Sequence, residues 1–317
     1  MAGILVVAEV NESGVAPGSL ELLGAARQLS AQGGGSVSAF IAGSEAQARE
    51  LIAHGADAAY TTGAAATAEV LAPAVEAALS QSGADIVLVA QSSLGRDLGP
   101  LLAFRLKTGV AMDCVEMKID GGRLRATRAA YGGNARAEHT WKGNPQVVTV
   151  KSKSFDALAA DAGRSGSVTA IAEAGEQRVK VLGVSKAESA GIKLEDAAIV
   201  VSGGRGLGDA SAFGMLEELA KILRVAAVGA SRAACDLGWY PPSQQVGLTG
   251  KTVSPNLYLA VAISGASQHM AGMGGSKNIV AINKDGDANM VRVSKFAIVD
   301  DYTKVLPALI EEIKKLS

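Results

Sequence analysis

Apolar positions along this chain come in short runs divided by small and polar residues. Residues 3–9, 36–41, 56–60 and 84–90 read as strands, and the last is an unbroken IVLVA run. Between them, 19–31, 45–54, 67–81 and 94–106 carry helical spacing, as in Leu20, Leu23 and Arg27 at i, i+3 and i+7. Such alternation predicts βαβ units and a parallel sheet. After Gly109 the rhythm changes. Residues 115–119 and 123–129 alternate polar and apolar around Asp120-Gly121-Gly122, a β-hairpin signal. Residues 139–141 and 146–150 add two strands, 152–177 have weak periodicity, and 177–184 read as a last strand of this half. A domain boundary is therefore expected near residue 188, giving a 1–188 α/β domain and a 189–317 domain.

The second half is more regular. Runs at 198–201, 226–228, 259–263, 279–282 and 296–299 each end in Gly, Ser, Asn or Asp, the pattern of buried parallel strands. Ligands of open α/β sheets bind outside the C-terminal ends of the strands. Arg205, Ser231, Arg232, Thr249, Gln268, His269, Asn283 and Asp301 should thus share one edge, and that edge reads as a nucleotide-cofactor site. The fold expected is α/β: a parallel-sheet, nucleotide-binding-like domain followed by a doubly wound one.

Composition narrows the function. The 317 residues carry a formal net charge of −1, which gives no global attraction for nucleic acid or an anionic membrane. Hydrophobic residues make up 48% and the mean hydropathy is +0.23, yet no apolar stretch reaches the ~20 residues of a spanning helix. Direct membrane insertion is not expected, and part of the apolar surplus is assigned to a subunit interface. Glu9 follows too early for a secretory leader, and the two cysteines, Cys114 and Cys235, lack metal-ligand spacing, so a reduced cytoplasmic location is expected.

SGGRGLG (202–208) has glycines at 203, 204, 206 and 208, which resembles a dinucleotide loop without spelling GxGxxG, and a helix is expected after it. Gly250-Lys251-Thr252 imitates the end of a Walker A loop, but Gln245 stands where that motif needs glycine. Arg232 has only small neighbours (Gly229, Ala230, Ala233, Ala234), so nothing near it in sequence neutralises the guanidinium. His269 lies in SGASQHMAGMGG, where glycines permit close backbone approach. In the first half Ser92, Ser93, Arg96 and Asp97 follow the best strand, and helix capping explains the serines.

Taken in order, SGGRGLG, GASRAA, QVG-x-TG, SGASQH and AINKD resemble the C-terminal FAD domain of the electron transfer flavoprotein α subunit, over essentially all of 190–317 and more loosely upstream. The resemblance implies FAD held mainly by this half. Gln245, Val246, Gly247, Leu248 and Thr249 would wrap the flavin ring, with Thr249 near its N5. Leu248 stands where many relatives carry a polar residue. Arg232 would lie against the ring and Ser231 toward the phosphates, with Arg205 at the pyrophosphate or adenosine. His269 would donate a hydrogen bond near N1 and the C2 carbonyl. Gln268 and the backbone of Ser264, Gly265, Ala266 and Ser267 would line the ribityl chain, and Asn283 and Asp301 would hold the adenosine.

The resemblance further implies a heterodimer with the family's β subunit, which packs on the first domain. It implies an electron carrier fed by flavin dehydrogenases such as acyl-CoA dehydrogenases and discharged at a membrane-associated quinone oxidoreductase, without substrate turnover of its own. Rival readings are an NAD-dependent oxidoreductase with His269 or Lys251 as catalyst, a regulatory nucleotide-binding module, and the α subunit of a bifurcating type that takes electrons from NADH.

Overall fold

The computed structural model describes residues 3–11, 14–33, 35–131, 135–172, 174–180, 182 and 192–316. The chain divides into two compact units, Met1–Ala130 with Asn134–Val184, and Ser185–Ser317 with Tyr131–Gly133.

The first unit runs β1 (Gly3–Ala8), a small ribbon of β2 (Val10–Asn11) and β3 (Gly14–Val15), α1 (Pro17–Gly33), β4 (Val37–Ala42), α2 (Glu45–Ala53), β5 (Ala58–Thr62), α3 (Ala68–Ser82), β6 (Ala84–Ala90) and α4 (Ser93–Arg105). It continues with β7 (Val110–Asp120), β8 (Arg123–Ala130), β9 (Ala135–His139), β10 (Gln146–Val150) and β11 (Ser167–Ala170). These make a nine-stranded sheet, ordered β11-β5-β4-β1-β6-β10-β7-β8-β9, parallel except for the β7–β8–β9 meander. Strand β1 is buried throughout. Ile4 and Val6 pack with α1 and α2, Leu5 and Val7 with α3 and α4, which is why no polar alternation marks it.

Two local expectations fail here. Gln177–Lys180 and Leu182 join no strand, and Val179 and Leu182 are exposed; the rest of 177–184 lies outside the described residues. The ladder that the weakly periodic stretch does supply is β11, whose mostly exposed residues carry almost no alternating signal. Strand β7 begins five residues before its predicted start, because its first half pairs parallel with β10 and only its second half forms the hairpin. Positive φ at Gly121 (58°) and Gly122 (75°) makes that hairpin turn, as the dipeptide predicts.

The second unit is a five-stranded parallel sheet in the order β13-β12-β14-β15-β16. Its elements are β12 (Ile199–Gly203), α5 (Phe213–Ile222), β13 (Ala226–Ala230), α6 (Arg232–Asp236), β14 (Leu257–Val261), α7 (Ser267–Met273), β15 (Ile279–Ile282), α8 (Asn289–Val293), β16 (Phe296–Ile298) and α9 (Tyr302–Leu316). Val201, Leu259, Val261 and Ile282 bury one face under α5 and α9, with Leu216, Leu219, Leu306 and Ile310. Val200, Tyr258 and Ala260 bury the other against Val246, Met273 and Met290. The chain leaves β12 for β13 on one side and returns to β14 on the other. Such a reversal opens a crevice at the strands' C-terminal ends.

Candidate functional site

A cleft of about 600 Å³ opens at that reversal. Three strand ends and one loop supply its walls: Gly204–Gly206 after β12, Ser231–Ala233 after β13, Ile263, Ser264, Ala266, Gln268 and His269 after β14, and Gln245–Thr249 between α6 and β14. Arg205, Ser231, Arg232, Gln245, Val246, Gly247, Leu248, Thr249, Ser264, Ala266, Gln268 and His269 therefore converge as the sequence suggests.

The other four candidates are placed differently. Gly265 (φ 80°) abuts α8, where a Cβ would meet Met290 N at 2.3 Å. Ser267 opens α7, and its hydroxyl donates to Gln268 Oε1 at 3.4 Å. Asn283 and Asp301 line a separate, smaller cavity of about 40 Å³ with Lys284 and Asp300, and Gly206 belongs to both spaces. Asn283 is nearly spent on structure: Nδ2 donates to the Ile263 carbonyl at 2.9 Å and Oδ1 accepts from Asp285 N at 3.1 Å. Asp301 accepts from Thr303 N (3.0 Å) and Thr303 Oγ1 (2.8 Å) at the start of α9, and these bonds hold its carboxyl below the usual range.

The loop 245–251 is held by backbone. Val246 N donates to Ala230 O (2.9 Å), Leu248 N to Gln268 O (2.7 Å) and Gly250 N to Gly247 O (3.1 Å). Gly247 (φ 146°) and Gly272 touch so closely that a Cβ on Gly272 would lie 2.4 Å from Gly247 Cα. Thr249 Oγ1 accepts from Gln245 Nε2 at 3.0 Å, while Leu248 is 69% exposed. Lys251 leaves this turn to pair with Glu195, and it does not line the cleft. Ser231 caps α6, accepting from Ala234 N at 3.3 Å.

One sequence expectation changes and two gain detail. Arg232 is not without a counter-ion: Asp236, one helical turn on, accepts from its Nε at 3.3 Å and shares the cleft wall. The i,i+4 spacing was the available signal, but it brings the pair together only if α6 forms. SGGRGLG precedes a helix as expected, with a short 3-10 turn (Arg205–Leu207) inside the motif and α5 beginning at Phe213. Its glycines serve close packing, since a Cβ on Gly204 would lie 2.1 Å from Ala262 O. Finally, Ser92 accepts from Gly95 N at 2.9 Å and caps α4, but it also donates to the partly buried Glu9 carboxylate at 2.5 Å; burial raises the proton affinity of that carboxylate.

His269 is the most perturbed group in the cleft. It is only 7% exposed, and burial pushes its pKa down to about 4, with the Val246 backbone pulling weakly the other way. The imidazole is therefore neutral at pH 7. Nε2 lies 2.9 Å from the Tyr258 hydroxyl, whereas Nδ1 is buried without a hydrogen-bond partner among the described residues.

Comparison with known proteins places this geometry. Residues 4–176 match the electron transfer flavoprotein domain, and residues 193–274 match the electron transfer flavoprotein FAD-binding domain. The chain is 40% identical to the electron transfer flavoprotein subunit alpha of Thermoanaerobacterium thermosaccharolyticum, over 99% of this chain and 98% of that one. It is 41% identical to its namesake in Megasphaera elsdenii, over 99% and 96%, and 40% identical to that of Mycobacterium tuberculosis, over 99% of both. The chain belongs to the electron transfer flavoprotein alpha-subunit family.

FAD is the cofactor of that family's C-terminal domain, and the cleft suits it. Its volume lies in the range of small-molecule sites. Two arginines provide charge for phosphates or an electron-rich ring, Thr249 and His269 provide neutral polar groups, and the glycine loops bring backbone to the surface. The unmatched Nδ1 of His269 is the kind of buried polar atom that a bound ligand would satisfy. Bound FAD supplies reversible one- and two-electron chemistry, and the protein's part is to hold it and set its potential.

Proposed function

We propose that this chain is the FAD-bearing half of a heterodimeric electron carrier. It pairs with the family's β subunit through a 1–188 domain and holds FAD with a 189–317 domain. Electrons arrive from flavin dehydrogenases such as acyl-CoA dehydrogenases and leave to a membrane-associated quinone oxidoreductase, with the complex working in the cytoplasm. One observation carries this reading: the cleft is lined by cations, neutral donors and backbone, and its single carboxylate among the described residues, Asp236, is paired with Arg232. That lining suits the tuning of a flavin, with His269 as its one neutral imidazole and no unpaired carboxylate among the described residues.

Gln245–Thr249 would embrace the flavin, Arg232 and Ser231 would lie beside ring and phosphates, Arg205 would face the pyrophosphate side, and Ser264–Gln268 would follow the ribityl chain. Asn283 and Asp301, in the adjoining small cavity, would serve the adenosine end. The test is co-expression with the β subunit, followed by rapid-mixing reduction by an acyl-CoA dehydrogenase and its substrate. One FAD per chain should be reduced within turnover and reoxidised by a quinone oxidoreductase. Reduction by NADH alone would overturn the carrier reading in favour of the NADH-using type. A stable, FAD-saturated monomer of this chain alone would overturn the obligate heterodimer.

A further inference from the structure

Beneath the cleft a short polar line crosses the apolar layer between the sheet and α7. Tyr258 is wholly buried on β14, among Val200, Ala260, Met273 and Met290. A phenol there needs a partner. Its hydroxyl finds one in His269 Nε2 at 2.9 Å, with the two rings edge to face at 6.1 Å and 62°. Ser202, on the paired strand β12 two residues beyond Val200, the register partner of Tyr258, is also fully buried, and its hydroxyl has no hydrogen-bond partner among the described residues. The bonded line thus runs from Tyr258 to the imidazole, which forms part of the cleft wall.

We propose that Tyr258 is a positioning residue for the cofactor site: its hydroxyl donates to His269 Nε2 and so fixes the imidazole as the neutral Nδ1–H tautomer, leaving the one unmatched ring nitrogen a hydrogen-bond donor. The direction follows from matching donors to acceptors. A phenol is the stronger acid of the two, and an imidazole nitrogen is the better acceptor, so O–H···N is favoured over N–H···O. A neutral imidazole carries one proton, and with Nε2 accepting, that proton must sit on Nδ1. Burial agrees, since it keeps the ring neutral with a single proton. Without Tyr258 the ring could present either a lone pair or a proton, and only the proton suits a ligand that becomes more electron-rich on reduction.

This deepens the proposed role of His269 toward FAD, and the test separates the two claims. Histidine labelled with 15N in this chain gives signals from its three histidines, and His269→Gln assigns the one in question. In the heterodimer, long-range 15N–1H correlation should show a single Nδ1–H tautomer for His269, and Tyr258→Phe should lose it for a mixture or for Nε2–H. An Nε2–H tautomer in the unsubstituted protein overturns the proposal. An unchanged tautomer in Tyr258→Phe overturns it too. Flavin reduction is the second readout. Tyr258→Phe should shift its equilibrium toward the oxidised state by about fivefold, the worth of one neutral hydrogen bond. A lost tautomer with unchanged flavin equilibrium would uphold Tyr258 as the positioning residue and overturn the assignment of His269 to the cofactor.

Discussion

Acid should attack this protein at one identifiable place. His269 is neutral in the folded chain with a pKa of about 4, whereas an unfolded histidine titrates near 6.5. Between these values the unfolded state binds the proton and the folded state does not, so stability falls as pH falls. The loss begins near pH 6.5, reaches about 2 kcal/mol by about pH 5 and levels at about 3 kcal/mol below pH 4. The groups around the ring do not offset it. Tyr258 is a neutral phenol, Arg205 and Arg232 share the same cleft, and Asp236 is already paired with Arg232. The measurement is urea unfolding of the heterodimer at a series of pH values, with His269→Gln beside it as a non-titrating control. The unsubstituted protein should lose about 2 kcal/mol more than the variant between pH 7 and pH 5. Parallel pH profiles would refute the buried neutral histidine.

Other expectations concern charge and backbone. Arg232→Ala should lower the oxidised/semiquinone potential by several tens of millivolts, about 1 kcal/mol being about 40 mV for one electron, while Asp236→Asn should raise it by less because the pair is solvent-exposed; potentiometric titration reads both. Gly272→Ala should cost the folded state more than about 2 kcal/mol and release FAD, since the new methyl would strike Gly247 at 2.4 Å, and equilibrium dialysis of the cofactor checks it. Ala262 holds a left-handed φ of 55° at the end of β14, so Ala262→Gly should be neutral or stabilising by up to about 1 kcal/mol in thermal unfolding, against a loss of that size at an ordinary alanine.

Much of the second unit was legible because each buried strand ends in small residues that declare its C-terminal end, and 279–282 matches β15 residue for residue. The same signal gathered six of the cleft residues, Arg205, Ser231, Arg232, Thr249, Gln268 and His269, and the family resemblance supplied the other six. What stayed hidden depended on partners distant in sequence. Strand β11 exists through pairing with β5, a hundred residues earlier, and its own residues are mostly exposed. Asp236 becomes a counter-ion only once α6 is helical. Tyr258 falls outside the 259–263 run expected as a strand, and nothing in its neighbours foretells a hydroxyl meeting His269 across the layer. Asn283 and Asp301 sit at the right sheet edge but in an adjoining cavity, a distinction that period and spacing do not carry.

The loop from Gln245 to Lys251 keeps its shape through main-chain bonds and one glycine contact, while Leu248 turns most of its side chain to solvent. Position 248 is thereby uncoupled from the scaffold that carries it. Substitutions there should cost little folding stability and act instead on whatever meets the outer surface of the loop, while Gly247 and Gly272 have no room for a side chain.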